Sequence, residues 1–128
     1  MPIGNELGSF SLKSTSINYS PADGGTEIVD MNMEGSIEGP NGNLTVLGTL
    51  TGRPNADAQS GTYTWLGREF AVDGATRIAT GGGFFINNGA GTWALRGHIL
   101  FSDGTGGAVE GQLNLADRSL IGKLCEWT

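Results

Sequence analysis

The sequence predicts an all-β fold, an eight- to nine-stranded antiparallel up-and-down barrel, and three observations carry that expectation. Apolar and polar residues alternate with a period of two over residues 26–38, 91–101 and 107–115, and no stretch repeats its apolar residues about every 3.6 positions as an amphipathic helix would. Turn-forming clusters punctuate the chain at a spacing of roughly 8–12 residues. Glycine is abundant, 23 of 128 residues, and it recurs inside the strands on the apolar parity, at Gly35, Gly48, Gly61, Gly97 and Gly111. Glycine weakens a strand, so its recurrence on one face points to sharp coiling and close approach of opposing chains in a small barrel. Closure also removes the unpaired edges of an open sheet. Two readings of the interior stay open: the glycines leave a cavity, or they relieve the bend while Trp65, Trp93 and Phe101 fill the space.

Each element has a local reason. Residues 1–8 read as a flexible arm of a single 1–128 domain. Residues 9–18 alternate moderately through Phe10 and Leu12 and form a first strand. Ser20-Pro21-Ala22-Asp23-Gly24-Gly25 is turn chemistry. Over 26–38, Val29, Met31, Met33, Gly35 and Ile37 face one way, and Asp30, Asn32, Glu34, Ser36 and Glu38 the other. Gly39-Pro40-Asn41-Gly42 is a hairpin turn in which Asn-Gly supplies the positive-φ pair. Leu44, Val46, Gly48 and Leu50 line the apolar face of 43–53. Residues 54–59 are a loop, and 60–66 put Tyr63 and Trp65 on one face. Arg68 to Val72 reads as a further strand, Asp73-Gly74 as a turn, and Ala75 to Thr80 leads into a hairpin over 80–101. There Trp93, Leu95, Gly97, Ile99 and Phe101 define the inside, and Arg96 and His98 the outside. Ser102–Gly106 is a turn, 107–115 alternates again, 116–118 turns, and 119–126 is the last strand.

Composition excludes several function classes. The net charge is −6, and the 7 Lys and Arg are scattered, so no basic stripe exists to meet nucleic-acid phosphates or an anionic membrane surface. No run reaches the length of a membrane-spanning helix. Cys125 is the single cysteine, so no intrachain disulfide forms. The opening residues carry neither a basic n-region nor an apolar h-region, and a cytoplasmic location is expected.

The candidates for chemistry are few. His98 is the only histidine, and with Cys125 alone it cannot build a metal centre. Gly81-Gly82-Gly83 is followed by neither Lys-Ser/Thr nor a helix, so it is not a phosphate loop, and no cofactor is expected. His98 lies on polar parity; it is an exposed wall residue unless that wall lines a cavity or an interface, in which case it is a general acid–base. Tyr63 brings a phenol inward. If parity runs on from Trp65, Glu69 also points inward near a barrel mouth, where burial would raise its pKa; a bulge after Gly67 would instead send Glu69 outside and Phe70 in. The candidate catalytic residues are therefore Tyr63, Glu69 and His98. Met31, Met33, Trp65, Trp93 and Phe101 form the candidate pocket wall, with plain core packing as their alternative role.

The stretch Gly81-Gly82-Gly83-Phe84-Phe85-Ile86-Asn87-Asn88-Gly89-Ala90-Gly91-Thr92-Trp93 resembles a signature of allene oxide cyclase-like and dirigent-type barrels. Gly83-x-Phe85 matches, while Gly91 stands one residue later than the family pattern. The Gly/Thr-rich strands around Gly35, Gly48 and Gly61 are similar to those of bacterial barrels of this class. The resemblance implies an eight-stranded barrel with an apolar pocket, often oligomeric (dimer or trimer). It carries no family catalytic residue onto this chain. The expected function is a cofactor-independent cyclase or isomerase acting on a small, largely apolar molecule. A non-catalytic barrel holding a hydrophobic ligand and a structural, oligomerising barrel are the alternatives.

Overall fold

The computed structural model describes residues 3–23, 26–39 and 42–127. They form eight strands: β1 (Ile3–Pro21), β2 (Glu27–Gly39), β3 (Gly42–Pro54), β4 (Ser60–Phe70), β5 (Thr76–Gly89), β6 (Thr92–Phe101), β7 (Gly106–Asn114) and β8 (Ser119–Trp127). Each pairs antiparallel with its neighbour in sequence, and β1 pairs with β8 to close the barrel. No helix forms among the described residues. The upper end, as we name it, carries the β1–β2, β3–β4, β5–β6 and β7–β8 connections; the lower end carries the other three. Gly24 and Gly25 of the first expected turn, and Pro40 and Asn41 of the second, lie outside the described residues.

Two expectations change. Residues 3–8 are not a loose arm: they open β1, where Ile3 pairs with Trp127, Glu6 with Cys125 and Gly8 with Leu124. The stretches 60–66 and 68–72 are not separate strands. They fuse into β4, which ends at Phe70 and leaves Ala71 and Val72 in the following turn; its ladders to β3 and β5 run through Gly67 without a register shift, and this sets the count at eight. The parity assignments hold: Met31, Met33, Val46, Leu50, Tyr63, Leu95, Leu113 and Leu120 are buried inside, whereas Glu34, Glu38, Arg96 and His98 are exposed on the wall. That wall carries cross-strand polar pairs such as Thr51 Oγ1 donating to Asp30 Oδ1 at 2.7 Å and Thr49 Oγ1 to Asn32 Oδ1 at 2.8 Å.

The inward glycines make room for aromatic rings. The Trp65 indole lies over Gly67 and its pair on β3, Gly48: a Cβ would meet Trp65 Cζ2 at 2.7 Å from Gly67 and at 2.5 Å from Gly48. A Cβ on Gly61 would meet Phe85 Cζ at 2.6 Å, one on Gly122 would meet Phe10 Cζ at 2.6 Å, and one on Gly97 would meet Tyr63 Oη at 2.5 Å. Each ring lies along the wall and fills space that a side chain would otherwise take. Gly52 differs. A Cβ there meets nothing nearer than Phe85 Cε1 at 3.8 Å and Val29 O at 3.9 Å, so this part of the wall faces open space.

The contrast gives a direct check. Gly48→Ala, driven into the indole, is expected to cost about 1–3 kcal/mol of unfolding free energy in urea. Gly52→Ala is expected to be neutral or to stabilise by up to about 1 kcal/mol, because the chain loses less entropy on folding and nothing is displaced.

Candidate functional site

The interior is neither solid nor one continuous hole. A cavity of ≈ 240 Å³ occupies the upper half and a smaller one of ≈ 70 Å³ the lower half. Leu50, Tyr63 and Leu95 border both. Val29, Met31, Gly52, Phe85 and Leu113 wall the upper cavity, and Tyr19, Glu27, Ala58 and Leu115 stand at its mouth among the hairpins. For scale, a cavity of ~150 Å³ takes up benzene, and a water occupies ~30 Å³. The upper cavity thus has room for a molecule larger than a single ring, the lower for a few waters at most.

Tyr63 forms the partition. It pairs with Gly83 on β5, which pairs with Gly97 on β6, so its phenol lies across two residues without side chains and ends over Gly97. The residue is 6% exposed, and its hydroxyl makes no hydrogen bond to another described residue. Burial pushes its pKa up to about 12, so the group is a neutral phenol across the physiological range. It offers a hydrogen bond and does not act as a base. Trp93 packs edge-on against Phe85, ring centroids 5.6 Å apart. Its Nε1 is the one fully enclosed side-chain nitrogen or oxygen among the described residues that lacks a hydrogen-bond partner; the Tyr63 hydroxyl, also unpaired, opens onto cavity space.

Glu69 does point inward and is 2% exposed, the outcome of unbroken parity from Trp65. It is not free. Arg77 Nε donates to Glu69 Oε1 at 2.8 Å, and Arg77 Nη1 reaches Asp103 Oδ2 at 3.3 Å. The guanidinium also sits 3.5 Å above the centre of the Phe101 ring. Burial raises the Glu69 pKa, and the bond to Arg77 pulls it partly back. Asp103 is held below the usual carboxylate range by Thr105, whose Oγ1 donates to it at 2.6 Å, with help from Arg77. This clasp sits at the lower end of the barrel. Six positions separate Tyr63 from Glu69 on one strand, roughly 20 Å along its length, so a small molecule in the upper cavity does not reach both.

The other candidates divide. Met31 and Trp93 line the upper cavity; Trp65 and Phe101 line the lower; Met33 is core and lines neither. His98 is among the residues bordering the lower cavity, but it is exposed and its imidazole stands edge-on to Trp127 with ring centroids 6.5 Å apart. The structure does not bring His98 to Tyr63 or Glu69. Among the described residues, no group of three or more His, Cys, Asp or Glu is placed to hold a metal ion. Sequence reasoning missed Arg77, although it shares the inward parity of Ala79, Gly81, Gly83 and Phe85. It also missed Asp103, which reaches the clasp from a turn. Comparison with protein-family models, with curated proteins and with solved structures found no match.

Two measurements check this geometry. Tyr63→Phe removes a hydroxyl without a protein partner, so stability at pH 7 is expected to change by less than about 1 kcal/mol. The native phenol titrates above the unfolded one, so wild-type stability falls as pH rises from the ordinary value of 10.0 to about 12. That part of the alkaline limb should vanish in Tyr63→Phe. Arg77→Leu strands a buried carboxyl and should cost about 2 kcal/mol at neutral pH. Glu69 then holds its proton to still higher pH, so the deficit should shrink as acidification protonates it in both states. Urea titrations across pH read both effects.

Proposed function

We propose that this barrel binds a small, largely apolar molecule in its upper cavity, entering through the hairpin end. The single observation that carries the reading is the ≈ 240 Å³ space with apolar walls, bounded below by the Tyr63 phenol. The distribution of ionisable groups supports binding over acid–base chemistry. Tyr63 stays protonated, Glu69 is engaged by Arg77 in the other half, and His98 lies outside. Among the described residues, Glu27 at the mouth is the one other ionisable group on the cavity, apart from the exposed Tyr19.

A second reading, a cofactor-independent cyclase or isomerase, is favoured by one feature: a neutral phenol in an apolar cavity polarises a bound oxygen while the walls hold the substrate's shape. It also agrees with the resemblance to allene oxide cyclase-like and dirigent-type barrels. In that reading Tyr63→Phe slows turnover of a bound, reactive unsaturated compound roughly a hundredfold.

Binding is tested by titrating ethylbenzene into isotopically labelled protein and following backbone amide shifts. Saturable shifts are expected at Met31, Gly52 and Leu113. Gly52→Ile, which fills the cavity from its open wall, should abolish them and leave the barrel folded. An absence of saturable shifts in the wild type, or unchanged binding by a folded Gly52→Ile, would sink the proposal.

A further inference from the structure

The walls also indicate what kind of molecule fits. We infer that the ligand is a neutral compound with an oxygen acceptor, of the ketone, aldehyde or ester class, seated with that oxygen on the Tyr63 hydroxyl at the floor of the upper cavity. This rests on the binding reading above and adds a chemical class to it.

Tyr63 carries the inference first. A buried hydroxyl normally finds a partner, because leaving it unpaired forfeits the hydration it had in the unfolded chain. Here the residue is 6% exposed, borders both cavities, and makes no hydrogen bond to a described residue. The hydroxyl is not fully enclosed, so it opens onto cavity space from which a bound molecule can reach it. Its position depends on Gly83 and Gly97: the phenol crosses the first, and any side chain on the second would displace the hydroxyl. The protonated phenol is a strong donor and a weak acceptor across the physiological range, so an oxygen acceptor is its best complement.

Charge decides the rest. Among the described residues, no Lys or Arg lines the upper cavity, and the one charged lining residue is Glu27. The loops at the same end add Asp23, Asp57 and Asp117; the cations there, Lys13, Arg53 and Arg118, are exposed and off the cavity wall. A carboxylate would lose its hydration among Val29, Met31, Phe85 and Leu113, meet no cation, and pass an acidic mouth on the way. A neutral carbonyl loses far less and recovers it at Tyr63.

Three probes of nearly one shape separate the terms: acetophenone, ethylbenzene and benzoate. They are titrated at pH 7 into the wild type and Tyr63→Phe, following the amides of Met31, Gly52, Leu95 and Leu113. In the wild type, acetophenone should bind roughly three- to tenfold tighter than ethylbenzene, the range for one neutral hydrogen bond. Benzoate should bind at least tenfold weaker than acetophenone. Tyr63→Phe should bring acetophenone down to ethylbenzene and leave ethylbenzene unchanged. If ethylbenzene binds but acetophenone gains nothing over it, or keeps its advantage in Tyr63→Phe, the carbonyl inference is overturned and cavity binding stands; tight benzoate binding likewise overturns the neutral class alone. If none of the probes binds at these amides, both readings fall.

Discussion

The structure depends on a steric exchange between glycine and aromatic residues on the inner wall. An eight-stranded barrel is narrow, and its strands coil tightly enough that a Cβ on many inward positions would strike a neighbouring strand. Glycine permits the coil but leaves gaps. Those gaps are filled sideways by Trp65 over Gly48 and Gly67, Phe85 over Gly61, Phe10 over Gly122 and Tyr63 over Gly83 and Gly97. The rings lie along the wall, which is why a barrel with Phe10, Trp65, Phe85, Trp93 and Phe101 turned inward still holds a cavity. The two readings of the inward glycines, bend relief with aromatic filling and a hollow interior, are thus both realised, in different halves.

The halves differ in what they ask of polar groups. In the lower half, Glu69, Arg77, Asp103 and the Phe101 face satisfy one another, and the space left is small. In the upper half, Tyr63 and Trp93 each present a donor that no described residue answers. One end of the barrel is chemically complete within the chain; the other has capacity left over.

Much of this was legible in the chain because alternation is a local property. The run from Val29 to Ile37 and the run from Trp93 to Phe101 decide inside from outside without any partner. Glu69 was different. One inserted residue after Gly67 would have turned it to solvent, and only the ladders to β3 and β5, made with distant residues, rule that out. Residues 3–8 fail for the same reason: Gly4, Asn5 and Glu6 have little strand character of their own and are held by β8. The clasp needs Asp103 to approach from a turn, and no periodicity describes a turn. Met31 and Met33 share a face, and it is the height along the barrel, invisible to parity, that gives one a cavity and the other only core.

The long first strand has a consequence for how the barrel comes together. β1 is 19 residues long and serves two neighbours: its later part pairs with β2, and its earlier part with β8. Seven of the eight ladders join strands that follow one another in the chain; the eighth joins its beginning to its end. Local hairpins form with little loop entropy to overcome, whereas the β1–β8 seam spans the whole domain and comes slowly. Without the β1–β8 ladder the same strands would make a curled open sheet with two bare edges and an exposed interior. That one ladder, between the two ends of the described chain, is what separates a template for aggregation from a closed barrel.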